Sequence, residues 1–219
     1  MKLYDRFHHK FGWCEKSNWL YPAGDLSTPV HFDIVTKETT ALLEYVTKDD
    51  ICIQAGGNIG LWPYRYSKFF RQVATFEPCE ENLHCLRVNL DRVHNATIFP
   101  YALGDVNEMV TVKHISRKPI SYGARYVEPD VEGDAIQVRL DDQTFDGSVD
   151  FLHLDIEGRE LFALKGAEKT IEEHQPVIAL EHHTLQQMTV PVDAASEWLV
   201  ARGYEIVAKF KFEWVFKHV

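Results

Sequence analysis

Residues 51–60 read ICIQAGGNIG, an apolar run that ends in Gly56, Gly57 and Gly60 around a single Asn58. Glycines that follow a strand let backbone approach a ligand closely, and the amide hydrogens opening the next helix have no partner within it. Such a turn suits a nucleotide or an adenosyl compound at the carboxyl edge of a parallel sheet. Glu77 lies 20 positions after Gly57, the spacing at which these folds set a carboxylate to accept both hydroxyls of a ribose. A dinucleotide fingerprint needs G-x-G-x-x-G, and this loop has Ala55 where the first glycine belongs, which weakens a nicotinamide reading. A second group, Asp155, Glu157, Glu181, His182 and His183, closes two further apolar runs.

These residues need elements to hold them. DDICIQA (49–55), QVATFEP (72–78), NATIFPYAL (95–103), VDFLHLDIEG (149–158) and PVIALEHH (176–183) read as strands. LWPYRYSKFF, EENLHCLRVNLDRV and RELFALKGAEKTIEEH (159–174), set between them, carry apolar residues at helical spacing. Strands alternating with helices imply βαβ units and a parallel sheet. Residues 104–135 interrupt the pattern with a strand-like MVTVKHI and a stretch rich in Gly, Pro and charge, read as an inserted hairpin and loop. IQVRL (136–140) looks extended and DDQTF opens a short helix. AASEWLVARGY (194–204) is amphipathic, and YEIVAKF and EWVFKHV form a closing hairpin that turns at Lys211 and Phe212, an antiparallel edge on the parallel sheet. Residues 1–48 read as a cap, with NWLYPA and PVHFDIV as short strands before a helix in TKETTALLEYV.

The 219 residues suit a single domain, a cap (1–48) followed by a core (49–219) that carries the insertion at about 104–135. A formal charge of −10 argues against a chain built to grip nucleic acid. No apolar run has membrane-spanning length and the start lacks a signal-peptide core, so a cytoplasmic location with no membrane partner is expected. Cys14, Cys52, Cys79 and Cys85 show no C-x-x-C spacing. His8, His9, His31, His114 and His153 have no partner by sequence and read as solvated or satisfied in the core.

GGNIG, TFEPCEENLHCLRVNL, FPYALGD, VDFLHLDIEGRELFALKGAEKTI and QPVIALEHH occur in that order between about residues 50 and 183. Together they resemble the FkbM family of S-adenosylmethionine-dependent methyltransferases. The resemblance implies the class I methyltransferase fold: a Rossmann-like α/β, three-layer αβα sandwich with a mostly parallel seven-stranded sheet ending in an antiparallel C-terminal hairpin. It implies S-adenosyl-L-methionine as cofactor and S-adenosyl-L-homocysteine as product. Gln54, Ala55, Gly56, Gly57, Asn58 and Gly60 would then wrap the methionine and ribose. Glu77 with Pro78 would hold the ribose, Tyr101, Ala102 and Leu103 would frame the adenine, and Asp155 would face the ammonium. The family usually carries an acid where this chain has Gln54, which brings no charge to that ammonium.

The activity expected is O-methylation of a hydroxyl on a carbohydrate or another small molecule, with amine and peptide acceptors left open. An alcohol is a poor nucleophile, so it must be aligned and must lose its proton to a base. His182 is the first choice of base and Glu157 the second. Adjacent strand residues face opposite ways, so one of His182 and His183 faces the cleft unless the strand has ended. Asp155 to Gly158 reads equally as a helix cap. Asp155, Glu181 and a histidine would suit Mn²⁺ or Mg²⁺, but no spacing demands a metal and none is expected. Trp13, Trp19, Tyr21 and Trp62, with residues 121–126, read as a sugar-stacking or apolar pocket, or as cap packing. Two rival readings stay open: an NAD-dependent oxidoreductase on the same fold, and an inactive adenosyl-binding domain, which Gln54 invites.

Overall fold

The computed structural model describes residues 11–14, 18–22, 25, 28–115, 124–182, 190–191 and 193–219, without the side chains of 11–14 and 28–32. His8, His9, Ser121 to Gly123, His183 and the side chains of Trp13 and His31 lie outside the described residues.

Strands β1 (Phe11–Cys14) and β2 (Trp19–Pro22) form an antiparallel pair, and helix α1 (Thr28–Leu43) follows. The core begins with β3 (Ile51–Ala55), α2 (Leu61–Tyr66), β4 (Gln72–Phe76), α3 (Glu80–Leu90) and β5 (Ala96–Phe99). Four short strands come next: β6 (Ala102–Leu103), β7 (Glu108–His114), β8 (Arg125–Pro129) and β9 (Ala135–Val138). After a 3₁₀ turn at Leu140–Asp142, the chain returns to the core through β10 (Val149–Leu154), α4 (Glu160–Gly166), α5 (Glu168–His174) and β11 (Val177–Glu181). It closes with α6 (Ala194–Val200), β12 (Tyr204–Lys209) and β13 (Glu213–His218).

The main sheet has seven strands in the order β12-β13-β11-β10-β3-β4-β5. All contacts from β11 to β5 are parallel, while β13 runs antiparallel to both its neighbours. Every residue of β3 and β10 is buried, as expected for parallel strands covered on both faces. Alternation divides them: Ile51, Ile53, Ala55, Leu152 and Leu154 pack with Ala163, Leu164, Ile171 and Leu199 of α4 to α6. Cys52 and Phe151 pack on the other face with Val35, Leu42, Trp62 and Tyr66 of α1 and α2. This is a three-layer αβα class I methyltransferase fold. Among the described residues no helix is long and apolar enough to cross a membrane.

Four local readings differ. PVHFDIV is helical, because Pro29 falls in the first turn of α1, where its missing amide hydrogen costs nothing. NATIFPYAL splits at Pro100, so its last residues leave the main sheet. The insertion is more than a hairpin, since β6, β9, β7 and β8 build a second, four-stranded sheet. Residues 159–174 form two helices that break at Ala167. The break follows Gly166, which lies so close to the Gly104 carbonyl that a Cβ there would overlap it.

Candidate active site

The strand order reverses between β3 and β10, which pair in parallel with Ala55 beside Leu154. Ligands bind open α/β sheets at such a switch point, outside the carboxyl ends of the strands. A cleft of about 470 Å³ opens there, within the 300–1,000 Å³ range of small-molecule sites. Ala55, Gly56 and Asn58 from the glycine loop, Glu77 and Pro78 past β4, and Tyr101, Ala102 and Leu103 all line it. Asp155, Ile156 and Glu157 past β10, and Glu181 at the end of β11, line it too. Residues far apart in sequence complete the wall: Ile34, Val35 and Glu38 of α1, Trp62 of α2, Arg125 to Val127 of β8, and Phe212 and Glu213.

Backbone packing shapes the glycine loop. Gly56 and Gly57 both donate to the Phe76 carbonyl (3.0 and 2.9 Å), and Gly60 donates to Gly57 (2.8 Å). Gly56 adopts φ 86°, and a Cβ there would overlap the Asp155 carbonyl oxygen. Gly57 and Gly60 lie off the cleft; their missing side chains make room for Thr75, Leu86 and Glu77, and for Leu86, Leu90 and Trp19. The glycines therefore let the loop pack against β4, α3 and β10, and only Gly56 among the three reaches the ligand space. Asn89 of α3 ties the loop to the N-terminal hairpin, with Nδ2 donating to the Ile59 and Leu20 carbonyls (2.8 Å each).

Glu77 is 5% exposed. Its Oε2 accepts the Asn58 backbone N–H (2.7 Å) and its Oε1 accepts the Cys79 backbone N–H (2.8 Å). Burial raises its pKa from 4.5 to about 7 against the opposing pull of the Asn58 amide, Arg125 and Asn82. Asn82 Nδ2 also reaches Oε1, at 3.5 Å; Oε2, with a single donor, keeps a lone pair for a ligand hydroxyl.

Gln54 departs from its expected place. It does not line the cleft but is fully buried beneath the loop. Its Nε2 donates to the Ala55 and Gly56 carbonyls (3.0 Å each), and its Oε1 accepts from Thr75 Oγ1 (2.6 Å). The amide is thus spent on the loop, because position 54 alternates onto the face that α2 covers. His182 also departs: it lies outside the cleft lining, stacked on Trp214 at 3.5 Å, with Nε2 3.1 Å from Asp193 Oδ1. Its backbone N–H donates to the Phe212 carbonyl (2.6 Å), which fixes this orientation.

The acids converge. Trp62 Nε1 donates to Asp155 Oδ2 (3.2 Å), and Glu181 lies on the neighbouring strand in the same wall. Burial raises the pKa of Asp155, and burial together with Asp155, Glu157, Glu160 and Glu213 raises that of Glu181 far above the usual range. Glu157 adopts φ 56°, a strained conformation of the kind that collects at functional sites. The cap role falls to Glu160, whose Oε1 accepts from the Ile156 and Gly158 amides (3.2 Å each). His153, read as a solvated or satisfied histidine, is fully buried and bonds Tyr66 Oη through Nδ1 (2.9 Å). Of the expected set, Trp62 and Tyr126 line the cleft, with Ala124 and Arg125 beside Tyr126; Trp19 is buried and packs edge-on against Tyr64. Among the described residues no three His, Cys, Asp or Glu side chains converge on a metal position.

Comparison with known proteins agrees with this geometry. A family model described as the methyltransferase FkbM domain matches residues 54–206. The methyltransferase FkbM of Methylobacillus flagellatus KT superposes with a TM-score of 0.56 at 19% identity, over 78% of this chain and 44% of that one, so this chain spans less than half of that protein. A ribosomal protein L11 methylase of Lactobacillus delbrueckii subsp. bulgaricus superposes with a TM-score of 0.55 at 11% identity, over 84% of this chain and 78% of that one. The magnesium protoporphyrin IX methyltransferase of Synechocystis PCC 6803, solved with bound SAM, gives 0.51 at 10% identity, over 86% of this chain and 80% of that one. No curated protein sequence matches the chain. With a cleft at the sheet's switch point and a family match over most of its length, the chain belongs to the FkbM methyltransferase family.

Proposed function

We propose that the protein transfers a methyl group from S-adenosyl-L-methionine to a hydroxyl on a carbohydrate or another small molecule. The observation that carries this reading is Glu77, a buried carboxylate locked to the Asn58 and Cys79 amides, facing a cleft at the switch point. A desolvated carboxylate held in this way has a use if a ligand hydroxyl pairs with its remaining lone pair.

The residues present fit the cofactor. Ala55, Gly56 and Asn58 would hold its methionine and ribose, Glu77 and Pro78 the ribose, Tyr101, Ala102 and Leu103 the adenine, and Asp155 the ammonium. When bound, the cofactor supplies an electrophilic methyl on a sulfonium. The chain's own residues do the rest. Trp62, Phe212 and α1 exclude water and orient the acceptor, which supplies much of the acceleration, and a carboxylate at the β10 and β11 ends takes the hydroxyl proton. Glu157 is among those carboxylates, whereas His182 stands outside the cleft lining.

Calorimetric titration with S-adenosylmethionine, S-adenosylhomocysteine and NAD tests the reading. Micromolar binding of both sulfur ligands, with none for NAD, is expected. NAD binding with no response to the sulfur ligands would replace the methyltransferase reading by the oxidoreductase one.

A further inference from the structure

Three carboxyls lie together in the cleft wall: Asp155 just past β10, Glu181 at the end of β11 and Glu213 at the start of β13. Glu181 and Glu213 are direct cross-strand partners, a placement that like charges disfavour. Asp155 follows β10, the strand that pairs with β11 on its other side. Neighbouring carboxyls withdrawn from water favour keeping a proton on one of them.

Among the described residues two cations line the same cleft, Arg125 and Arg159; Arg125 acts with Glu77 and Asp134, and Arg159 with Asp105, Glu108 and Glu160. Glu38 of α1, Glu157 of the loop after β10 and Glu160 of α4 add to the negative field. Lys211, in the turn before β13, acts on Glu38. His153 lies behind the group with Nε2 3.5 Å from Glu213 Oε2 and without a hydrogen-bond partner, while Nδ1 is engaged by Tyr66. Burial lowers the His153 pKa to about 4, so the ring is neutral.

We infer that Asp155, Glu181 and Glu213 act as one proton-accepting group, which holds a proton in the ligand-free protein and releases it when the methyl donor's sulfonium enters the cleft. This rests on the methyl-transfer reading above and names the proton acceptor within it. The carboxylate so formed takes the acceptor's hydroxyl proton as the oxygen gains the methyl carbon and the pair of the broken carbon–sulfur bond stays on sulfur. Positive charge leaves the donor as negative charge leaves the cluster, so the buried charge stays balanced through the transfer.

The test needs no acceptor. Titrations of the full chain at pH 6.5 with S-adenosylmethionine and with S-adenosylhomocysteine, in two buffers of different ionisation enthalpy, count the protons released by each. The two ligands share their ribose and their ammonium, so what Glu77 contributes and what the ammonium draws from Asp155 are the same for both and cancel, leaving the effect of the sulfonium. The donor is expected to release about one proton more than the product, and that excess is expected to fall by at least half in Glu181→Gln and in Glu213→Gln. Infrared difference spectra should show a protonated-carboxyl band lost on adding the donor and kept on adding the product. Equal proton counts with both ligands bound would overturn the inference and leave the methyltransferase reading standing. Silence from both sulfur ligands would overturn that reading and the inference with it.

Discussion

Glu77→Gln separates what the fold needs at this position from what the ligand needs. Burial holds the Glu77 pKa at about 7 against an ordinary 4.5. A raised folded-state pKa means that the neutral acid is favoured in the fold: its full contribution to stability is present below pH 4.5 and is lost as pH rises through 7. The total is about 3 kcal/mol at about 1.4 kcal/mol per pH unit, and about 2.5 kcal/mol of it is lost between pH 5 and pH 8. Glutamine cannot ionise and escapes this loss. It carries one acceptor where the carboxylate has two, so the Asn58 or the Cys79 amide must face an NH₂ group, costing about 1–3 kcal/mol at any pH. Urea unfolding without ligand is therefore expected to find the variant less stable than the parent at pH 5, and equal to it or more stable at pH 8. Its affinity for S-adenosylhomocysteine should fall by about 10-fold or more at both pH values, with the loss of charge-assisted bonds to the ribose. A stability difference that does not change between pH 5 and pH 8 would refute the argument that Glu77 is a desolvated acid, and undiminished affinity would refute its ribose role.

Two further substitutions probe the loop. Gly56→Ala must place a side chain at φ 86° against the Asp155 carbonyl, and a stability loss of about 3 kcal/mol or more is expected in urea titration; a loss below about 1 kcal/mol would show that the loop relaxes. Gln54→Glu would aim a buried carboxylate at the Ala55 and Gly56 carbonyls that Nε2 now serves. A loss of about 2–4 kcal/mol is expected at pH 8, monitored by thermal unfolding, and parental stability would mean that position 54 tolerates charge.

The parts of the site that were legible in the sequence are those set by neighbours in the chain. The glycine loop, Glu77 and Asp155 each end a core strand, and strand, loop and helix follow one another within a few residues, so their arrival at one sheet edge follows from order alone. Gln54 lies off the cleft because a strand residue's facing depends on the covering layer, which a single sequence does not display, and His182 lies off it because β11 has ended and its ring stacks on Trp214 of the distant closing hairpin. Glu38 and Glu213 come from α1 and from the closing hairpin, and only the sheet order brings them to Asp155. The helix at 28–43 was hidden by Val30, Phe32, Ile34 and the proline, a local alternation that tertiary packing against Trp62 and Tyr66 overrides.

The four-stranded sheet gives the cleft a second owner. Leu103, Val112 and Val127 belong to β6, β7 and β8, while Ala55, Asp155 and Glu181 belong to the core sheet or the loops at its edge. A molecule in the cleft is therefore mortar between two separately built walls. The core wall carries the acids and the small wall is largely apolar, so the two can vary independently: changes in β7 and β8 reshape the opening while the carboxyls stay with strands that every part of the core depends on.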